Sequence, residues 1–138
     1  MAKAHAAQVA ALPWRKGRQG IEILLVTSRE TQRWVIPKGW PMAHLLGSSA
    51  AKQEAYEEAG VGGRIRRKAI GHYAYEKRVP DGTSMPCIVT VYALGVEREH
   101  DTWPEQAERK RCWFRLAEAA QKVDEAQLRA IILAFAAD

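Results

Sequence analysis

The sequence is poor in cysteine and has no long apolar run. Its 138 residues contain two cysteines, Cys87 and Cys112, which stand alone and not in a CxxC metal motif. Both have apolar or aromatic neighbours, so we predict two buried free thiols. No segment has the roughly 20 consecutive apolar residues of a membrane helix, and the N-terminus lacks the leucine-rich stretch and cleavage site of a secretory signal. We therefore expect a cytoplasmic protein with no membrane partner.

Chain length and net charge limit the number of domains and the type of partner. A chain of 138 residues suits one hydrophobic core, so we predict a single domain over residues 1–138. The formal net charge is +5, with basic clusters at 15–18, 64–68, 77–78 and 109–111. This excess favours anionic partners such as phosphate, although such clusters also occur on solvated faces and bind nucleic acid non-specifically. A phosphorylated small molecule is the obvious candidate partner, although charge alone does not decide this. The sequence lacks a glycine-aromatic RNA motif, so we predict no specific nucleic-acid partner. The oligomeric state stays open.

Short apolar runs between turn residues predict strands along most of the chain. The predicted strands are residues 9–14, 21–26, 34–36, 65–75, 87–96 and 113–114. Pro80-Asp81-Gly82 is a strong turn signal, so we expect the fourth and fifth strands to form a long hairpin. Proline and glycine predict a loop over residues 37–48, and we expect loose order in the alanine-rich N-terminus.

Two helices are predicted between and after these strands. The first is capped by Ser48 or Ser49, is about three turns long and ends at Gly60. Its alanines leave a slim surface that can lie close to the sheet; they are Ala51, Ala55 and Ala59. The second helix has a core-facing stripe at i, i+3, i+4 and i+7, formed by Leu128, Ile131, Ile132 and Phe135. We therefore predict an α/β fold, a mixed sheet with helices on its faces.

Three acids stand out on the first predicted helix. Because a helix advances 100° per residue, Glu54, Glu57 and Glu58 project from one side. Like charges at i,i+3 and i,i+4 destabilise a helix by a few tenths of a kcal/mol each, and the macrodipole disfavours acids in the last turns. A divalent cation reverses this effect, since Mg²⁺ binds a few carboxylates together with water and phosphate oxygens. The alternative is a solvated acidic face balanced by nearby Arg and Lys, and the spacing alone does not decide between them.

The surroundings of these acids resemble the Nudix box. Gly39 precedes the segment 53–61, Gln-Glu-Ala-Tyr-Glu-Glu-Ala-Gly-Val, at the separation that this motif requires. We therefore identify the chain as similar to the Nudix hydrolase superfamily. Two positions depart from the motif, because Leu45 stands in place of its first Glu and Gln53 in place of its Arg. Glutamine can hydrogen-bond but cannot supply the cation that usually steadies the neighbouring acids.

Segments outside the box point to one branch of the superfamily. Residues 33–39, 101–103 and 109–114 resemble the diphosphoinositol polyphosphate and diadenosine polyphosphate phosphohydrolases. The resemblance covers roughly residues 7 to 116. The strongly basic N-terminal segment of that branch is not reproduced here, which argues against the most highly phosphorylated inositol substrates.

The resemblance implies a Nudix-type α/β/α sandwich with a mixed sheet and a pyrophosphohydrolase activity. Mg²⁺ is the implied cofactor, with Mn²⁺ as an alternative, and water would attack phosphorus in a nucleoside-diphosphate-linked or related pyrophosphate. Glu54, Glu58 and the backbone carbonyl of Lys38 would ligate the metal. Glu57 would be the base, or would exchange this role for metal ligation, since close carboxylates titrate as a coupled set. The implied phosphate-binding residues are Thr27, Ser28, Arg29, Lys38, Gly39 and Arg109.

A second function stays open beside the hydrolase. A Nudix-like module that senses nucleotides or pyrophosphates without turnover would tolerate the two departures from the box. Aromatic residues near the motif are candidates for stacking on a nucleobase, with buried packing as the alternative; they are Trp34, Trp40 and Trp103.

Overall fold

The computed structural model describes residues 5–136 and consists of one mixed eight-stranded sheet with three helices. The strands are β1 (Ala6–Gly17), β2 (Gly20–Thr27), β3 (Trp34–Val35), β4 (Lys38–Gly39), β5 (Val61–Ile65), β6 (Gly71–Arg78), β7 (Ser84–Glu99) and β8 (Arg111–Arg115). The helices are α1 (Gly47–Ala59), α2 (Leu116–Lys122) and α3 (Ala126–Ala134). The predicted loose order of the alanine-rich N-terminus falls partly on residues 1–4, which lie outside the described residues, whereas Ala6 and Ala7 belong to β1.

The sheet has the order β3-β2-β1-β7-β5, with β4 beside β1, β6 beside β7 and β8 beside β2. Strands β1 and β7 run parallel and all other pairs are antiparallel. The predicted hairpin is confirmed, because β6 and β7 pair from Gly71↔Val91 to Arg78↔Ser84. Residues 65–75, predicted as one strand, contain the end of β5 at Ile65, a connection over residues 66–70 and the first part of β6.

Alternate residues of β1 point to opposite faces, and each face is covered by helix. Val9 and Ala11 pack with the buried alanines of α1, whereas Ala10 and Leu12 pack with buried residues of α2 and α3. This period of two is the expected pattern for a strand between two layers. The predicted α/β fold, with helices on both faces of a mixed sheet, is therefore confirmed.

The ends of α1 show one correct and one wrong prediction. Gly60 ends the helix in the left-handed conformation, at φ 67°, and its N–H donates to the Tyr56 carbonyl at 3.0 Å. The predicted serine cap is wrong, because Leu46 occupies the N-cap position without a side-chain cap, and Ser48 is buried in the first turn. The helix begins at Gly47, so both serines lie inside its first turn.

Long-range packing corrects one prediction and adds two elements that were not predicted. The predicted loop contains β4, which forms because Lys38 and Gly39 pair with β1. Gly62 and Gly63 form a bulged part of β5, where any Cβ at Gly63 would collide with the backbone of Gly95. Helix α2 was not predicted, because small residues form its buried face.

The two thiols have different environments. Cys87 is buried in β7, as predicted, but Cys112 is exposed. The prediction for Cys112 is wrong because β8 pairs only with β2 and is an edge strand, which leaves its side chain open to solvent.

The predicted core stripe of α3 is confirmed at Leu128 and Ile132, which are fully buried. Within residues 5–136, no helix is both long enough and apolar enough to cross a membrane.

Candidate active site

The three acids of α1 lie beside β4 and beside the loop that joins β7 to β8. The close approach of β4 depends on Gly39, because a Cβ at this position would collide with the carboxylate of Glu54. The loop is held to the helix by the N–H of Glu105, which donates to the Glu57 carbonyl at 3.0 Å. The sequence positions that match the motif are therefore brought together in space.

Glu58 is buried, with 8% of its surface exposed. Its Oε1 accepts a hydrogen bond from the Lys38 backbone N–H at 3.4 Å, and its Oε2 lies 3.6 Å from a guanidinium nitrogen of Arg109. Burial raises the pKa of Glu58 to about 7, even though the positive charges of Arg109 and Lys38 act in the opposite direction. One nearby guanidinium thus offsets only part of the cost of burying this carboxylate.

Glu54 has no such partner. Its Oε2 is buried and forms no hydrogen bond. Burial, followed by the charges of Glu58 and Glu57 and a side-chain hydrogen bond with Glu57, raises the pKa of Glu54 to about 7. A buried polar oxygen without a partner is rare in folded proteins and calls for a ligand. The acid cluster is therefore short of positive charge near neutral pH.

The backbone of β4 presents its polar groups to this cluster. Ala10 is paired with Lys38, and the N–H of Ala11 donates to the Pro37 carbonyl at 3.0 Å. Since hydrogen-bonded and non-hydrogen-bonded pairs alternate in an antiparallel ladder, the N–H and C=O of Lys38 point away from β1. The hydrogen bond from this N–H to Glu58 agrees with that direction. The Lys38 carbonyl is thus available on the side of the acids.

This donor set fits a metal of a particular kind. Among residues 5–136, no group of three or more His, Cys, Asp and Glu side chains is already arranged to hold an ion. Mg²⁺ does not need such a group, because it is commonly bound by one or two carboxylates and completes its octahedron with water and phosphate oxygens. The free Oε2 of Glu54, the carboxylate of Glu58 and the carbonyl of Lys38 are oxygen ligands of the type it prefers.

Arg109, which was predicted to bind phosphate, forms its contacts with residues of the site itself. Its side chain is 9% exposed, and its Nε donates to Glu105 Oε1 at 2.7 Å. A further nitrogen donates to the Thr27 carbonyl at 3.0 Å. Arg109 also contacts Glu58, so it supplies a positive charge to the acids. Gln53, which stands at the Arg position of the motif, is exposed and carries no charge. Glu105 was missed from the sequence, because it lies in a turn where no periodic pattern marks its pairing with Arg109.

The predicted phosphate-binding residues after β2 are held by their neighbours. Thr27 is buried and its Oγ1 accepts from the Lys110 N–H at 2.9 Å. The hydroxyls of Ser28 and Thr31 lie 2.5 Å apart. Arg29 has an exposed side chain and pairs with Glu108 at 3.5 Å. The structure thus brings Thr27 to the loop that carries Arg109, while Ser28 and Arg29 lie on a surface turn.

The three tryptophans near the motif have separate roles. Trp34 packs edge-on against Phe114, with ring centroids 5.1 Å apart. Trp103 donates its indole N–H to the Glu58 carbonyl at 3.1 Å and lies 4.0 Å from the guanidinium of Arg111. Trp40 follows β4 directly and is 48% exposed. Packing therefore accounts for Trp34 and Trp103 but not for Trp40.

The fold and the acid-bearing helix define a Nudix domain. The family profile described as NUDIX domain matches residues 4–135, which is nearly the whole chain. The chain therefore belongs to the Nudix family, and the family resemblance seen in the sequence is confirmed.

Particular relatives refine this assignment. The chain is 34% identical to "Nudix hydrolase 16, mitochondrial" of Arabidopsis thaliana, over 73% of this chain and 57% of that protein. It is 31% identical to human diphosphoinositol polyphosphate phosphohydrolase 3-alpha, over 81% of this chain and 65% of that protein. The chain spans little more than half the length of the Arabidopsis relatives that it matches.

Solved structures share the fold. A C. elegans Ap4A hydrolase superposes with a TM-score of 0.63 at 20% identity, covering 94% of this chain and 95% of that one. The NUDIX domain of Shewanella oneidensis NrtR, complexed with ADP ribose, gives a TM-score of 0.67 at 17% identity, covering 94% and 86%. At these identities the likeness concerns the fold alone.

Proposed function

We propose that this chain is a Mg²⁺-dependent pyrophosphohydrolase, with Mn²⁺ as the alternative metal. Its substrate would be a nucleoside-diphosphate-linked or related phosphoanhydride of the diadenosine polyphosphate or diphosphoinositol polyphosphate class. The unpartnered, buried Oε2 of Glu54 carries this proposal, because it lies in an acid cluster that lacks positive charge. Membership of the Nudix family and relatives named as hydrolases support the same reading.

The acids would have two different roles, metal binding and base catalysis. Glu54, Glu58 and the Lys38 carbonyl would hold the cation, which when bound neutralises phosphate oxygens and makes water a better nucleophile. Glu57 would orient the attacking water and accept its proton, which is general base catalysis. A side-chain hydrogen bond between Glu57 and Glu54 would keep this base next to the metal ligands.

Basic groups around the acids would bind the substrate phosphates. Lys38 is half-buried, and its ammonium has no carboxylate within 4 Å among residues 5–136, which leaves it available to an anion. Burial lowers the pKa of Lys38, and a bound phosphate would favour its charged form again. The full set proposed for phosphate binding is Thr27, Ser28, Arg29, Lys38, Gly39 and Arg109.

A metal-controlled substrate panel tests the proposal. Purified protein is given diadenosine polyphosphates, ADP-ribose and a diphosphoinositol polyphosphate, each with EDTA, Mg²⁺ or Mn²⁺, and the products are resolved by anion-exchange chromatography. We expect cleavage of at least one phosphoanhydride with metal and none with EDTA. Intact substrates throughout the panel, or cleavage that persists in EDTA, would contradict the proposal.

The sensing module is the second candidate, and one observation favours it. Leu45 is 44% exposed where the motif has its first Glu, so one acid of the family pattern is absent from this chain. A sensor would bind ADP-ribose or a diadenosine polyphosphate and release it unchanged. Calorimetric binding without any product in the substrate panel would select this candidate.

Several expectations from the sequence stay predictions. They are the single domain over residues 1–138, the cytoplasmic location, and the absence of a membrane or specific nucleic-acid partner. Some of the Arabidopsis relatives carry the word mitochondrial in their names. Imaging of the tagged protein in its native cells would test the location.

A further inference from the structure

Two cation–ring pairs lie side by side near the start of β1. The Lys38 ammonium lies 5.0 Å from the ring centroid of Tyr75, and the Lys77 ammonium lies 5.9 Å from that of Trp40. Residues 38 and 40 are two apart on one segment, and residues 75 and 77 are two apart on β6. Because alternate side chains of an extended segment share a face, the two segments present matching cation–aromatic surfaces to each other.

These four side chains form a cation–aromatic patch on the face opposite to α1. Lys38 is paired with Ala10, which belongs to the core on the α2 and α3 side. Tyr75 packs against that same core, and its hydroxyl donates to the Oε1 of buried Gln8 at 2.5 Å. Strand β4 thus presents its backbone edge to the acids and contributes the Lys38 side chain to the patch. A ligand on the patch would lie across β4 from the acid cluster.

The contacts within the fold do not account for the exposure and charge of this patch. Neither Lys38 nor Lys77 has a carboxylate within 4 Å in the described part of the chain. Trp40 keeps 48% of its surface exposed, although a tryptophan normally buries most of its area. An exposed indole beside two ammonium groups without a carboxylate partner matches the chemistry of a nucleotide, which combines a planar base with phosphates.

We propose that Trp40 and Lys77 form the subsite for the nucleoside end of the substrate. The base stacks on the exposed face of Trp40, and Lys77 contacts a phosphate next to the ribose. This inference rests on the proposed function for the reaction but not for the binding, since stacking requires no turnover. It selects nucleoside polyphosphates over diphosphoinositol polyphosphates, because an inositol ring has no flat π-face to stack on an indole.

Binding measurements without catalysis test the subsite. Calorimetry with ADP and with inorganic pyrophosphate is carried out on wild type, Trp40→Ala, Trp40→Phe and Lys77→Gln. Leu46→Ala is the matched control, because Leu46 is a still more exposed apolar residue of the same connecting segment. Thermal unfolding of each variant checks that the fold is kept.

We expect Trp40→Ala to raise the Kd for ADP about tenfold, which corresponds to about 1.4 kcal/mol, and to leave pyrophosphate binding unchanged. Trp40→Phe keeps most of the ADP affinity, since it retains a π-face. Lys77→Gln weakens both ligands, and Leu46→Ala weakens neither. This pattern separates a base-stacking role from a merely structural one.

Three results would overturn the subsite. They are wild-type protein that binds no ADP, unchanged ADP affinity in Trp40→Ala, and equal losses for ADP and pyrophosphate in that variant. The proposed function fails separately: Trp40-dependent binding of ADP in a protein that cleaves no phosphoanhydride supports the subsite and refutes the hydrolase.

Discussion

Replacing Glu54 by glutamine removes one negative charge from the acid cluster of α1. Since Oε2 of Glu54 has no hydrogen-bond partner and two further acids lie nearby, the charge is unfavourable while no metal is present. Glutamine keeps the size of the side chain and brings an amide group that can donate hydrogen bonds. We therefore expect the metal-free Glu54→Gln variant to be more stable than the wild type.

The size and sign of the effect follow from the pKa of Glu54, which is raised from 4.5 to about 7 in the folded protein. A carboxyl whose pKa is higher in the folded than in the unfolded state destabilises the fold once it ionises. The loss is absent below about pH 4.5 and is complete above about pH 7. The difference between 4.5 and about 7 corresponds to about 3 kcal/mol, and partial exposure of Glu54 reduces this to about 1–2 kcal/mol.

Thermal unfolding in EDTA at pH 5 and pH 8 measures the effect. At pH 8 we expect a Tm several degrees higher in Glu54→Gln than in the wild type, at about 4 °C per kcal/mol, and a much smaller difference at pH 5. Mg²⁺ should raise the Tm of the wild type and have little effect on the variant. Glu97→Gln, which neutralises an exposed acid of β7, is the control. A variant that is less stable than wild type in EDTA at pH 8 would refute this reasoning.

Other substitutions test separate contacts. Arg109→Met should destabilise the fold by about 2–4 kcal/mol in urea denaturation, because Glu58 loses its one close guanidinium inside the site; a loss below 0.5 kcal/mol, the range typical of surface changes, would contradict that role. Gly39→Ala should weaken Mn²⁺ binding about tenfold or more in paramagnetic titrations, since the new Cβ collides with the Glu54 carboxylate; unchanged affinity would argue against metal at this carboxylate. Cys112 should react with a thiol reagent in the folded protein while the other cysteine reacts only on unfolding; two equally fast thiols would show that the assigned burial is wrong.

Local patterns predicted the parts of the fold that depend on neighbours in sequence. The end of α1 at Gly60 was predictable because a left-handed residue there favours glycine. The spacing of Gly39 from the acids carried the resemblance to the Nudix box, and the structure shows a physical reason for this glycine, since a Cβ there would collide with the Glu54 carboxylate. The hairpin of β6 and β7 followed from one turn signal.

The missed features depend on contacts between distant segments. No local pattern assigns Arg109 to Glu58, because the loop and the helix meet only in the folded sheet. The exposure of Cys112 follows from the edge position of β8, which is a property of strand order and not of its apolar neighbours. For the same reason, the sequence offered three tryptophans for stacking, and only packing distinguishes Trp40 from the others.

The turnover of Glu57→Gln compared with wild type, at saturating Mg²⁺ and on the best substrate of the panel, tests the central claim most directly. Thermal unfolding confirms the fold of the variant, and Glu97→Gln is assayed beside it as the charge-matched control. A general base contributes about 10²–10⁴-fold, so we predict a loss of kcat in that range for Glu57→Gln and none for the control. A Glu57→Gln protein that turns over at the wild-type rate would contradict the assignment of hydrolysis to the acids of α1.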